Sequence, residues 1–357
     1  MKFEDILEIK NGRNQRAVEN PRGKYPIYGS GGIMGYADDY ICDAYTVIIG
    51  RKGNINNPIF VEEPFWNVDT AFGLSANTDV ILPRFLYYFC KKFDFERLNK
   101  TVTIPSLTKS DLLKIEIEPP NLLQQRDIVE RLTKIERIIA LRKLELKLLD
   151  ELIRARFVEM FGDIRYEEKY QGIPLRRLCT TISGGTPSTK CSEYYEGNIP
   201  WISTVSLGPN YIDGSTAKGY ITQEAIDNSA TKLIPAGNIL FETRVGVGKS
   251  SINDVALCIN QDIVAIVGID KNRFNVLFIK YVLDTYQSYY DSIKKGATIL
   301  GITGDDLKNT LIPVPPLELQ NQFADFVKVV DKSKAVVQKA LDQTQQLFDS
   351  LMQEYFG

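Results

Sequence analysis

The sequence predicts an α+β protein in which two similar globular domains are separated by two long helices. These helices are expected to pair as an antiparallel coiled coil, with a pseudo-two-fold relation between the halves. Three observations support this fold class. The 357-residue chain aligns with itself, each half contains a stretch of about 40 residues without glycine or proline, and a Pro-Pro pair precedes each stretch.

The internal repeat emerges at shifts of 193 to 195 residues. Identical residues coincide in a collinear series, in which Arg51, Gly53, Asn67, Phe85 and Thr108 fall on Arg244, Gly246, Asn260, Phe278 and Thr303. Repeats of this length indicate duplicated structural modules. Together with the Pro-Pro pairs, they predict a first globular domain at 1–118, a central helix at 119–161, a second globular domain at 162–314 and a C-terminal helix at 315–357.

The globular segments predict both strands and helices. Apolar, β-branched runs at 46–49, 238–241 and 263–267 are typical of short buried strands. Aromatic residues spaced by three and four at 84–93 and 276–286 predict helices that pack on a sheet.

The two long stretches carry apolar residues in alternating steps of four and three, which is the seam of a coiled coil. Arg142, Arg156, Lys334 and Thr344 interrupt the series. We predict that the pairing residues include Ile128, Leu132, Ile135, Ile139, Val327, Val330 and Leu341. An apolar stripe must be buried, and the sibling helix is the favoured partner. Pairing with another chain, or a purely connecting role, are the alternatives.

Composition limits the chemistry that the chain can perform. It contains no histidine, which excludes a histidine general base and a histidine-ligated metal. The net charge is −2, so any nucleic-acid contact must come from local basic clusters. The five cysteines form no Cys-x-x-Cys pair, and no apolar run reaches the ~20 residues that span a bilayer. We therefore expect a cytoplasmic protein with reduced thiols and no membrane association.

This plan resembles the specificity subunit of type I restriction–modification systems along the whole chain. The resemblance depends on the architecture, the Pro-Pro entries and Phe-Gly ends of the long helices, and the glycine-rich openings Asn11-Gly12 and 183–187. The segment 183–187, Ser-Gly-Gly-Thr-Pro, is similar to the start of a target-recognition domain in that family.

The resemblance implies a non-catalytic DNA-binding subunit without a cofactor. Residues 1–118 and 162–314 would be target-recognition domains, each reading one half of an asymmetric, bipartite double-stranded DNA target. The helices would set the gap between the halves and dock two methyltransferase (modification) subunits, which nuclease–translocase (restriction) subunits join. A helix of ~60 Å matches somewhat under two turns of DNA at ~34–36 Å per turn. Such a complex directs DNA methylation and restriction.

Three kinds of loop are candidates for DNA contact, because Lys and Arg neutralise phosphates and Arg also pairs with guanine. The opening loops are basic in domain one and rich in Ser, Thr and Gly in domain two. Further loops follow a predicted strand or precede a recurring Thr-Ile. The predicted contact residues are Arg13, Arg16, Lys24, Arg51, Lys52, Lys100, Lys190, Arg244, Lys249, Lys294 and Lys295.

Each of these loops has a simpler interpretation as a solvated loop or a structural turn. The aromatic residues Tyr25, Tyr28, Trp66 and Trp201 could contact thymine methyl groups, but core packing is favoured. A nucleotide site is not expected, because the P-loop-like end at 246–250 has Thr243 where the motif needs glycine.

Methyl transfer by the chain itself is not expected either, because Asn57-Pro58-Ile59-Phe60 lacks the second proline of the adenine-binding motif. The alternative function is a non-enzymatic coiled-coil scaffold whose globular ends bind proteins. That reading would explain the near-neutral charge. The salt dependence of DNA binding separates the two functions.

Overall fold

The computed structural model describes residues 1–100, 104–165, 169–296 and 300–357. Contacts divide the chain into two compact units. Unit 1 comprises residues 1–146 and 336–357, and unit 2 comprises residues 147–335. Each unit therefore combines one globular domain with one part of each long helix.

Unit 1 is built around an antiparallel four-stranded sheet and a smaller three-stranded sheet. Before its C-terminal segment 336–357, its helices and strands are α1 (Phe3–Ile6), β1 (Leu7–Asn11), β2 (Tyr25–Gly29), β3 (Gly32–Ala37), β4 (Thr46–Gly50), β5 (Ile59–Val61), β6 (Trp66–Asn67), β7 (Ala71–Ala76), α2 (Pro83–Lys92), α3 (Lys109–Leu112) and the first part of α4 (Leu122–Phe161). The strand orders are β1-β7-β4-β5 and β3-β2-β6. Buried residues of the first sheet share one core with Phe85 and Leu86 of α2.

Unit 2 repeats this plan with additional strands. Its elements after α4 are β8 (Gly172–Pro174), β9 (Thr180–Ser183), β10 (Ile199–Ile202), β11 (Tyr211–Ile212), β12 (Gly219–Ile221), α5 (Gln223–Asp227), β13 (Leu233–Ile234), β14 (Ile239–Glu242), β15 (Ser250–Asn253), β16 (Leu257–Ile259), β17 (Ile263–Val267), α6 (Val276–Thr285), α7 (Gln287–Ile293), α8 (Gly304–Lys308), β18 (Leu311–Pro313) and the first part of α9 (Leu317–Phe356). Its sheets have the orders β11-β15-β14-β17-β9, β12-β10-β16-β13 and β18-β8.

The sheet orders confirm the internal repeat. In unit 1 the main sheet reads β1-β7-β4-β5, and in unit 2 the corresponding strands read β9-β17-β14-β15. The smaller sheets repeat as well, since β2 pairs in parallel with β6 and β10 pairs in parallel with β16. The α+β fold class is therefore confirmed.

The predicted strands and sheet-packed helices are confirmed to within one or two residues. The run 46–49 lies in β4, whose five residues are all buried, because β4 lies between β7 and β5 in the sheet. The run 238–241 corresponds to β14 and the run 263–267 to β17. The aromatic segments form α2 and α6, with Phe85 and Phe278 buried at equivalent positions.

The two long helices have 40 residues each and pack against each other within each unit. In unit 1, Leu132 and Ile139 of α4 share a buried cluster with Leu341 and Phe348 of α9. In unit 2 the helices run antiparallel. The Lys334 ammonium lies 2.6 Å from Asp150, and the ring of Phe323 lies 5.3 Å from that of Phe157.

The buried seam extends beyond the predicted heptad positions. In α4 the series continues to Phe157, Met160 and Phe161, because here the helix packs on the globular core of unit 2 as well as on α9. Phe278 of α6 contacts both Phe157 and Phe161, with ring centroids 6.0 and 4.8 Å away. Arg156 is half-buried and directs its guanidinium to Glu159.

A buried glutamine attaches each long helix to its globular domain. The Gln125 side chain accepts a hydrogen bond from the backbone N–H of Leu82 at 2.8 Å and donates to the carbonyls of Val80 and Pro120 at 2.9 and 2.8 Å. Gln320 makes the same bonds in unit 2. Its side chain accepts a hydrogen bond from the backbone N–H of Asn275 and donates to the backbone carbonyls of Arg273 and Pro315. Leu82 and Asn275 occupy the N-cap positions of α2 and α6. We call Gln125 and Gln320 the glutamine clamps.

Within the described ranges, no helix combines the length and the apolar character needed to cross a membrane.

Candidate nucleic-acid interface

The opening loop of unit 1 is held by its backbone and leaves its cations exposed. The N–H of Arg13 donates to the carbonyl of Asn67 at 2.8 Å, and the buried indole of Trp66 donates to the carbonyl of Arg13 at 3.0 Å. Arg13, Arg16 and Lys24 are all exposed. The Lys24 ammonium lies 5.2 Å from the ring centroid of Tyr25.

The opening loop of unit 2 is anchored in the same way. The indole of Trp201 donates to the carbonyl of Gly185 at 3.1 Å, and the N–H of Gly185 donates to Ile259 at 2.9 Å. A Cβ on Gly184 would lie 2.0 Å from the carbonyl oxygen of Asn260, so only glycine fits there. Lys190 is exposed. Both tryptophans therefore belong to the core, as the sequence favoured.

The strand-exit loop, residues 51–54 in unit 1, pairs with the helix-entry loop, described here at residues 99–100 and 104–107. The N–H of Gly53 donates to the carbonyl of Pro105 at 2.9 Å, and that of Leu107 donates to Arg51 at 2.9 Å. Lys52 and Ser106 form a bridge between these bonds. Two predicted contact loops therefore lie side by side.

Unit 2 reproduces this pairing between its strand-exit loop, residues 243–249, and its helix-entry loop, described at 294–296 and 300–302. Val245 donates to the carbonyl of Leu300 at 3.3 Å, and Ile302 donates to that of Thr243 at 2.9 Å. Gly301 forms bridges with both Arg244 and Lys295. Thr101, Ala297 and Thr298, which belong to these two loops in the sequence, lie outside the described residues.

These bonds correct the alignment of the two strand-exit loops. Residue identity in the sequence repeat aligns Arg51 with Arg244 and Gly53 with Gly246. The hydrogen bonds instead make Lys52 equivalent to Arg244 and Gly53 equivalent to Val245. Both Gly53 and Val245 have left-handed backbones, with φ of +77° and +64°. The position in the pairing, rather than residue identity, therefore defines equivalence.

A short turn in each unit connects the strand-exit loop to the opening loop. In unit 1 this turn is residues 67–71. Its backbone carbonyls accept hydrogen bonds from the N–H groups of Gly12 and Arg13 in the opening loop, and the carbonyl of Thr70 accepts one from the N–H of Arg51 in the strand-exit loop. In unit 2, the carbonyls of residues 259–263 accept from Gly184 and Gly185 and, at Asp262, from Thr243. All three kinds of loop thus meet at one end of the main sheet of each unit. Among the bonds that the described residues make to these turns, none involves Lys24 or Lys190.

Several predicted cations are already paired with carboxylates. Lys100 lies 2.9 Å from both oxygens of Asp111, and this bond keeps the pKa of Asp111 below its usual range. Arg244 lies 3.7 Å from Asp262, and Lys294 is paired with Asp291. Arg51, Lys52, Lys249 and Lys295 are exposed. The Arg51 guanidinium lies 5.9 Å from the ring centroid of Phe72.

Sequence reasoning missed Glu242, which lies beneath the strand-exit loop of unit 2. Its carboxylate is buried and accepts a hydrogen bond from the N–H of Gly246 at 2.8 Å, while its backbone N–H donates to the backbone carbonyl of Lys249 at 2.8 Å. Burial raises the pKa of Glu242. The available signal was an acidic residue at the end of an otherwise apolar strand, directly before a glycine-rich loop.

The predicted helix-pairing residues are buried or packed at the edge of a buried cluster in their units. Leu132, Ile139 and Leu341 are buried in unit 1, with Ile128 and Ile135 packed at the edge of the same cluster. Val327 and Val330 are buried in unit 2.

Comparisons with known proteins agree on one family. The family model described as "Type I restriction modification DNA specificity domain" matches residues 1–151 and 167–345. The type I restriction enzyme MjaIX specificity subunit of Methanocaldococcus jannaschii is 32% identical over 158 residues, which is 44% of this chain and 37% of that protein. The chain thus matches little more than a third of that relative's length.

Two further similarities extend over nearly the full length. A putative type I restriction enzyme specificity subunit, S.HindORF215P of Haemophilus influenzae, is 25% identical over 370 residues, covering 97% of this chain and 92% of that one. The crystal structure of a type I restriction-modification system S subunit from M. genitalium superposes with a TM-score of 0.66. It has 16% identity and covers 100% of this chain and 95% of that chain. This likeness confirms the fold.

Proposed function

The chain belongs to the family of type I restriction modification DNA specificity domains, and from this premise we propose that it is the DNA sequence-recognition subunit of a type I restriction–modification complex. In this proposal residues 1–118 and 162–314 are two target-recognition domains, each reading one half of an asymmetric bipartite DNA target. Two modification (methyltransferase) subunits, restriction (nuclease–translocase) subunits and double-stranded DNA are the partners, and the complex acts in the cytoplasm.

The observation that carries the proposal is the repeated meeting of three loops at one end of each main sheet. Each meeting point presents exposed cations, Arg51 and Lys52 in unit 1 and Lys249 and Lys295 in unit 2. Exposed Lys and Arg on backbone that is fixed by hydrogen bonds are suited to phosphate contacts and guanine recognition. The two loop sets differ in sequence, which supports unlike half-sites.

The long helices are proposed to set the gap between the half-sites and to dock the modification subunits. Ile138, Leu141 and Leu144 of α4 are exposed apolar residues in unit 1, and such a surface favours protein association. We assign no reaction to this chain. The absence of histidine from the sequence supports a non-catalytic role, because it excludes the commonest general base.

Exchanging residues 1–118 for the corresponding domain of another specificity subunit is expected to change one half of the methylated sequence and to leave the other half unchanged. The physical reason is that the buried residues of the main-sheet core of unit 1 all lie between Phe3 and Ile117, so residues 1–118 carry this core and their own loop set. Sequencing of methylated DNA from cells that carry the hybrid measures this. A change in both halves contradicts the modular proposal.

Reversing the charge of Lys249 and Lys295 together is expected to weaken DNA binding and to lower its salt dependence. Each lost phosphate contact reduces the log–log slope by ~0.9, so the double variant should lose ~1.8. The control is Lys271→Glu. Lys271 is exposed and follows the end of β17, whereas the loops meet at the turn before the start of that strand. Equal slopes for the double variant and the control contradict the predicted contacts. Negligible DNA affinity of the wild-type complex favours the scaffold function instead.

A further inference from the structure

The strand-exit loop of unit 2 holds a valine in a backbone conformation that valine avoids. Val245 has φ of +64°, a region in which a β-branched residue is a true outlier because its Cβ crowds the neighbouring carbonyl. The equivalent residue of unit 1 is Gly53, with φ of +77°, and both donate a hydrogen bond to the helix-entry loop. The fold therefore requires the left-handed backbone, and unit 1 meets the requirement with glycine.

The valine side chain is not used for packing. Val245 is 65% exposed, and a Cβ added at Gly53 would meet no described atom within 4 Å. The strain at Val245 is thus not offset by burial. Strained residues that the surrounding structure holds in place are concentrated at binding sites. The exposed Val245 side chain is therefore a candidate for contact with a ligand.

The surroundings of Val245 indicate the kind of ligand. Arg244 precedes it, and Leu300, whose carbonyl accepts its N–H, is another exposed apolar residue. Lys249 and Lys295 are exposed on the same paired loops. An apolar tip among cations suits the DNA major groove, where phosphates attract the cations and the thymine C5 methyl group is the apolar feature of the base edges.

We propose that Val245 is a specificity-determining residue that contacts the C5 methyl group of a thymine in the half-site read by unit 2. This inference rests on the proposed function. It assigns to the two strand-exit loops different readouts, because the glycine at position 53 offers no side chain at the equivalent point.

The test uses uracil, which pairs like thymine and lacks only the C5 methyl group. The recognition sequence is first obtained by sequencing methylated DNA, and the half-site of residues 162–314 is identified by domain exchange. Duplexes are then made in which each thymine of that half-site is replaced singly by uracil. The full chain, assembled with its modification subunits, is titrated with each duplex as wild type, as Val245→Gly and as Val245→Asn. Glycine and asparagine both accept a left-handed backbone.

The wild-type complex is expected to lose affinity about three- to fivefold at one uracil position, the effect of removing one buried methyl contact. Both variants should bind the thymine and uracil duplexes equally at that position. They should melt at or above the wild-type temperature, because the backbone strain is relieved.

Specific binding by the wild type without any uracil effect overturns the inference, and so does a variant that keeps the full effect. A wild-type complex that shows no sequence preference at all overturns the proposed function, and the inference with it.

Discussion

Leu132→Asp is expected to destroy the helix pairing of unit 1. The Leu132 side chain is 0% exposed and shares its cluster with Leu341, Phe348 and Met352 of α9. A carboxylate at this position loses its hydration and gains no partner. We expect the free energy of unfolding to fall by about 3–5 kcal/mol, the range measured when a buried charge is left unpaired. Urea unfolding followed by circular dichroism measures the change.

The matched control is Leu144→Asp, the same substitution on the same helix at a side chain that is 49% exposed. Because this side chain already faces solvent, we expect its free energy of unfolding to change by less than about 0.5 kcal/mol. If both variants unfold at the same urea concentration as the wild type, Leu132 does not lie in a buried seam.

Gln125→Glu is expected to lower the free energy of unfolding by a similarly large amount, because the glutamine clamp donates two hydrogen bonds that a carboxylate cannot donate. The variant leaves the carbonyls of Val80 and Pro120 facing a negative charge in a fully buried site. Each buried group left unsatisfied costs about 1–3 kcal/mol. Because two carbonyls lose their donor, we expect the free energy of unfolding, measured by urea unfolding, to fall by about 2–6 kcal/mol. Gln124→Glu, one residue away and exposed, is the control and should be neutral.

The Gln125→Glu variant should also become pH-dependent. Burial raises the folded-state pKa of the introduced carboxyl group above its unfolded value. The folded state then binds the proton more tightly, so the deficit relative to wild type should shrink as pH falls and grow as pH rises. A deficit that is constant between about pH 5 and about pH 8 contradicts a buried, ionisable clamp position.

The sequence predicted those parts of the fold that depend on side-chain spacing. The run 263–267 forms β17, and the aromatic spacing at 276–286 forms α6, because local periodicity directly reports which faces are buried. The glutamine clamps were missed for the opposite reason. Gln125 bonds to Leu82, 43 residues away, and no local pattern reports such a contact. The shift of 195 residues that places Gln125 on Gln320 was the available signal.

The candidate site was predicted as separate loops, and the structure supplied what joins them. The turns at 67–71 and 259–263 were visible only as a recurring Asn-x-Asp. Their importance lies in backbone carbonyls, which carry no sequence signature. The equivalence of Gly53 and Val245 was missed because sequence identity aligned Gly53 with Gly246. The hydrogen bonds to the helix-entry loop, which define the position in the fold, align it with Val245 instead.

The division of the chain has a consequence for its synthesis on the ribosome. Unit 2 is one continuous segment, residues 147–335, and can complete its core as soon as it emerges. Unit 1 needs residues 336–357, and Phe356 lies 5.0 Å from Phe85 between ring centroids. At ~5–20 residues per second, ~10–40 s of translation separate the two parts of unit 1. The apolar face of residues 122–146 of α4 is not covered by α9 during that interval, when holding chaperones have access to it.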